Sequence, residues 1–139
     1  MLTGLADRVL LPERVLAELD AGARRDEAGD LARTSQAVSV LPDLEIPERL
    51  RLWDLGPGET QVLAHCLEDP SLEAVIDDRA ARRCARSFGI PYTGTLGVVI
   101  TARKAGLIPQ AKTLITALER EGIRLSPDLV AAALAEVGE

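Results

Sequence analysis

Short apolar runs of strand length alternate along the chain with longer stretches in which apolar residues recur every three or four positions. Arg8-Val-Leu-Leu11 is the first such run. Pro12 is suited to a first helical turn. It is followed by apolar residues at 15, 16 and 19 and a glycine stop at Gly22, which predicts a helix. Residues 23–35 are polar with weak helical periodicity, and Ala37-Val-Ser-Val-Leu41 alternates like a second strand. From Pro42 to Gly58, three prolines and scattered charges indicate a connecting loop in which Leu50-Arg-Leu-Trp53 could be extended. Gly56-Pro-Gly58 opens a helix over 59–67, whose face carries residues 62, 63, 66 and 67 and which ends near Asp69-Pro70. Leu72-Glu-Ala-Val-Ile76 reads as a buried strand, 79–88 as a helix stopped by Gly89, and Ile90-Pro-Tyr-Thr93 as a short strand. Thr95 is the expected N-cap of a helix running to Gly106, and two amphipathic helices, 110–121 and 127–137, complete the chain. Strands alternating with helices predict an α/β fold with a mainly parallel sheet flanked by helices.

A length of 139 residues predicts a single domain, 1–139, and 47% apolar content supplies one core. Phe88, Trp53 and Tyr92 are the only aromatic residues, so that core is built from Leu, Val, Ile and Ala. Base stacking on an aromatic platform is therefore not expected. No apolar run approaches the roughly 20 residues that span a bilayer, and the start lacks a basic segment followed by an apolar one. Cys66 and Cys84 have no CxxC or Cys/His ligand spacing around them, so a reducing cytoplasm is the expected compartment.

Charge is segregated. Residues 1–78 carry 17 acids and 7 bases, whereas residues 79–118 carry seven bases and no acid. The net charge of −6 thus hides one wholly basic stretch able to attract a polyanion locally.

Four acids occupy suggestive places. Glu18 lies in the first helix, Glu59 in a first helical turn after glycines, and Asp77 and Asp78 end a strand, where ligands of parallel sheets collect. Converging acids repel one another unless a hard cation such as Mg²⁺ or Mn²⁺ binds between them through oxygen. Each also has a plain structural explanation: Asp78 as a helix N-cap, Glu59 as a partner of the helix dipole, Glu18 as a solvated position. Arg79, Arg82, Arg83 and Arg86 share one helix face. They form either a grip for phosphodiester backbones or a solvated, ion-paired stripe. His65 lacks a ligand partner at metal spacing and reads as structural. No GxSxG, P-loop or GxGxxG occurs.

Four blocks in order, Leu11-Pro-Glu-Arg-Val-Leu-Ala-Glu-Leu19, Leu55-Gly-Pro-Gly-Glu-Thr60, Val75-Ile-Asp-Asp-Arg79 with Ala81-Arg82, and Gly94-Thr-Leu-Gly97 followed by Lys104-Ala-Gly-Leu-Ile-Pro109, resemble the PIN-like toxin family related to the VapC-type toxins. The resemblance covers nearly the whole chain. It implies a three-layer metal-dependent ribonuclease fold, usually the toxin of a toxin–antitoxin pair, with Mg²⁺ or Mn²⁺ between clustered acids. On that resemblance Glu18, Glu59 and Asp78 match the catalytic acidic positions, with Asp77 adjacent as a further metal ligand. Thr95 falls near a place where a further acid or hydroxyl commonly sits, and Arg79, Arg82, Arg83 and Arg86 would hold RNA. The family's first strand and its aspartate are not recognisable ahead of residue 8. The expectation is therefore that strands 8–11 and 72–76 pair directly or that a tight homodimer forms, with activity reduced. The alternative function is a catalytically inactive module that binds RNA or antitoxin.

Overall fold

The computed structural model describes residues 8–21 and 38–139, in two compact units, Arg8–Thr93 and Gly94–Glu139. The polar segment 23–35 and the glycine stop at Gly22 lie outside the described residues.

The first unit runs β1 (Val9–Pro12), α1 (Glu13–Ala21), β2 (Val38–Leu41), α2 (Glu48–Arg51), α3 (Pro57–Glu68), β3 (Ala74–Val75), α4 (Arg79–Ser87) and β4 (Tyr92–Thr93). Both strand pairings are parallel, as the alternation of strands and helices requires. β1 lies on β2, with Val9 opposite Val38 and Pro12 opposite Leu41. β3 lies on β4, with Ala74 opposite Tyr92. The direct pairing of 8–11 with 72–76 is not formed: among the described residues there are two two-stranded ribbons. β1 pairs with β2 and β3 with β4, so each strand is paired along one edge, and the ribbons are joined through α3, which packs on β1, β3, α1, α2 and α4.

The run 72–76 is shorter and less enclosed than expected. Its ladder comprises Ala74–Val75, with Ala74 and Ile76 donating to Pro91 and Thr93 carbonyls at 2.9 Å each. Ala74 and Ile76 point into the core, while Val75 is 44% exposed, so the run alternates rather than being buried on both faces. The segment 48–51, where extended structure was conceivable, is a helical turn. The Pro47 carbonyl accepts from the Leu50 and Arg51 amides at 3.0 Å, which turns Leu50 inward to 1% exposure. Four residues are too few for a period to register in the sequence. The Arg49 guanidinium lies 5.3 Å from the Phe88 ring centroid, a cation–π contact that ties this turn to the end of α4.

Helix α3 begins at Pro57, with proline in its first turn, rather than at Glu59. It organises the unit with two side chains one turn apart. Gln61, 7% exposed, accepts from the Leu44 amide at 2.9 Å and donates to the Leu44 carbonyl at 3.0 Å. His65 Nε2 lies 3.0 Å from the Pro42 carbonyl, in keeping with the structural role expected of it. Gln61→Ala strips the partners from both backbone groups of part-buried Leu44 and is expected to cost about 1–3 kcal/mol, with an unchanged denaturant slope. Urea unfolding followed by circular dichroism measures it.

α4 ends as the glycine predicts. Gly89 takes φ +69°, its amide donates to Arg86, and Ile90 donates back to Ala85, closing a Schellman motif. The two cysteines are free and buried. Burial, then the nearby Asp69 charge, pushes the Cys66 thiol up to about 11, and burial raises that of Cys84. Both therefore stay protonated and act as small apolar core groups.

The second unit comprises α5 (Thr95–Lys104), α6 (Ala111–Arg120) and α7 (Pro127–Glu136) around Val99, Ile100, Ala111 and Ile115. Thr95 is the first residue of α5 rather than its cap. Gly94 holds the cap position, with no side-chain hydrogen bond. α6 likewise has no local cap, since Gln110 makes no capping bond. Glu139 supplies one from the far end of the unit, accepting from Ala111 and Lys112 amides at 3.0 and 2.9 Å and from Arg103 Nε at 3.1 Å.

The two amides, then Arg103, hold the Glu139 carboxyl below its ordinary value of 4.5. A carboxyl lowered in the folded state adds stability above that ordinary value and loses it as pH falls through the lowered one. Glu139→Gln is therefore expected to flatten the pH dependence of melting as pH falls below that ordinary value, read by a thermal scan at each pH. No helix among the described residues is long and apolar enough to cross a membrane.

Candidate metal and nucleic-acid site

The acids of the first unit are distributed over helix starts. An α-helix leaves its first amides without intrahelical acceptors, and the aligned peptide dipoles favour negative charge there. Asp43 serves α1 in this way, with Oδ1 accepting from the Arg14 amide at 3.0 Å and Oδ2 lying 3.7 Å from Arg14 Nε. Glu18 serves α3: Oε1 accepts from the Gly58 amide at 3.0 Å, across 40 residues of sequence. Glu59, in the first turn of the same helix, curls back so that its carboxylate lies against Gly56. Glu18 and Glu59 are thus placed at the two glycines of one Gly56-Pro57-Gly58 turn, Glu18 against Gly58 and Glu59 against Gly56.

Asp78 caps α4, with Oδ2 accepting from the Ala81 amide at 2.8 Å. The capping explanation of Asp78 therefore holds, and one of its oxygens stays available to a ligand. Asp77 Oδ1 lies 3.4 Å from Arg82 Nη2. Among the described residues no three His, Cys, Asp or Glu side chains form a group able to hold a metal ion. Thr95 stands in the other compact unit.

On α4, Arg79, Arg82, Arg83 and Arg86 share the outer face, opposite buried Ala81, Cys84 and Ala85. Two of them are engaged locally. Arg82 Nε donates to the Ile76 carbonyl at 3.0 Å, and Arg86 Nη2 donates to the Tyr92 hydroxyl at 2.9 Å. Arg79 and Arg83 are exposed and have no ion pair among the described residues. Outside this stripe, the basic stretch is offset by acids from the chain's end, Arg103 by Glu139 and Lys104 by Glu136. The charge segregation of the sequence is therefore partly cancelled in space.

Mg²⁺ is commonly held by one or two carboxylates, with water and substrate phosphate completing its shell. Glu18 and Glu59 are the candidates for that role. Each lies where a glycine leaves room: an ideal Cβ on Gly58 would stand 2.6 Å from Glu18 Oε2, and one on Gly56 would overlap the Glu59 carboxylate. Sequence reasoning singled out both acids but missed the two glycines, whose signal was the Gly-Pro-Gly spacing read only as a helix start.

Parallel strands alternating with helices define an α/β protein, with acids at several of its helix starts. A family model described as a PIN domain matches residues 1–139, and the chain belongs to that family. PIN domains are generally nucleases that act on nucleic acid and use divalent metals. Comparison with curated proteins and with solved structures finds no match.

Proposed function

We propose that this chain, acting as one PIN domain over residues 1–139, is a Mg²⁺- or Mn²⁺-dependent endoribonuclease and the toxin of a toxin–antitoxin pair. The observation that carries the reading is the match to the PIN family, supported by the placement of Glu18 against Gly58 and of Glu59 against Gly56 at the start of α3. Glu18 and Glu59 would hold the cation; Asp77 and Asp78, read as further ligands on the family resemblance, form no group of three or more with them among the described residues. A divalent cation, when bound, lowers the pKa of water and offsets charge developing on a phosphate. Arg79 and Arg83 would grip backbone phosphates, with Arg82 and Arg86 beside them, and this part of the binding weakens with salt. Thr95, which belongs to the other compact unit, is proposed as a functional hydroxyl on the family resemblance alone.

The partners proposed are an RNA substrate, an antitoxin protein and a second copy of the chain, the last favoured by parallel ribbons in which each strand keeps one edge without a described partner. Two free, protonated thiols suit a reducing cytoplasm. Titrating Mn²⁺ against a fluorogenic RNA tests the reading: cleavage should appear with metal and vanish with chelator, and its absence at every metal concentration overturns it. A second reading, an RNA- or antitoxin-binding module without cleavage, is favoured by Glu18 and Asp78 already serving as helix caps. RNA binding without turnover in the same titration would select it.

A further inference from the structure

We infer that Gly58 is a positioning residue, which seats the Glu18 carboxylate at the start of α3 both by donating its amide and by having no side chain. Glycine is poorer than alanine within a helix, and Gly58 is not among the residues with left-handed φ, so neither propensity nor backbone conformation calls for it. Space does. An ideal Cβ at position 58 would stand 2.6, 2.8 and 2.9 Å from Oε2, Oε1 and Cδ of Glu18, closer than real carbon atoms approach. The colliding atoms are the far end of a flexible side chain. Alanine at 58 would therefore be accommodated by expelling Glu18 rather than by distorting the helix.

Gly56 stands in the same relation to the Glu59 carboxylate, and its φ −55° and ψ 152° are open to any residue. The Gly-Pro-Gly turn is thus a seat for two carboxylates, with the amide of its second glycine bonded to one of them. The role of this seat in metal binding rests on the function proposed above, whereas the seat itself does not.

The full chain tests the inference through Gly58→Ala, Glu18→Ala and the double variant. Two measurements are needed: hydrogen exchange at the residue-58 amide and affinity for Mn²⁺ alone. In Gly58→Ala the amide should lose the protection it has in the parent, as it does in Glu18→Ala. Mn²⁺ affinity should fall roughly 10- to 100-fold, the range for losing an interaction that orients a ligand. The double variant should bind no more weakly than Glu18→Ala, because both changes remove the same carboxylate. The melting temperature should stay close to that of the parent. A protected amide with parental Mn²⁺ affinity in Gly58→Ala overturns the inference, as do additive losses in the double variant. If the parent binds Mn²⁺ no better than Glu18→Ala, the metal reading falls, while the exchange measurement still decides the seating of Glu18.

Discussion

Replacing Glu59 with glutamine is expected to lower Mn²⁺-dependent RNA cleavage by about 100-fold, equivalent to roughly 3 kcal/mol of transition-state stabilisation. Glutamine keeps the length and hydrogen-bonding reach of the side chain and removes the charge, so the loss reports on cation binding rather than on shape. Glu18→Gln should act in the same direction and leave an oxygen for the Gly58 amide to bond. Asp78→Asn separates two roles at one position. Asparagine caps helices as well as aspartate does, so α4 should remain intact while any contribution of the charge to cleavage disappears. Initial rates on a fluorogenic RNA, with melting temperatures measured in parallel, distinguish these effects. Cleavage that persists at parental rates in Glu18→Gln and Glu59→Gln would remove both from the catalytic centre.

The largest stability effect is expected at Leu63. This residue is 0% exposed on the inner face of α3, the helix against which β1, β3, α1, α2 and α4 all pack. Truncation to alanine removes three carbons from a core cluster that also holds Leu50, Ala74 and Cys84. Such a site collapses poorly, so Leu63→Ala should cost about 2–5 kcal/mol, transfer free energy and residual cavity together. Leu52, 77% exposed beyond the α2 turn, makes the contrasting case, and its alanine variant should stay within about 0.5 kcal/mol of the parent. Urea midpoints of the two variants measure the difference. A Leu63→Ala cost under about 1 kcal/mol would mean that the core around α3 is far looser than its burial implies.

The helices were legible because their signals are local. The 3.6-residue period, the Pro57 start and the Gly89 stop each lie within a few residues of the feature they control. α2 escaped because one turn has no period. The strand at 72–76 shrank because an apolar run does not show whether one face or two will be covered. The rule that helix starts attract acids was available, and Asp78 follows it within its own segment. Asp43, Glu18 and Glu139 obey the same rule across 29, 40 and 27 residues, where nothing in the local pattern names the partner.

By itself, the order of residues determined the α/β class, the parallel sense of the strands, the PIN resemblance and the identity of the candidate acids, since each depends on spacing along the chain. Tertiary structure alone decided that the described strands form two ribbons, which amide each distant carboxylate meets, which arginines find no ion pair among the described residues, and that a side chain at position 56 or 58 would run into a carboxylate. The physical reason is that a carboxylate's role depends on the donors within about 3 Å of it, and chain closure brings those donors from distant positions.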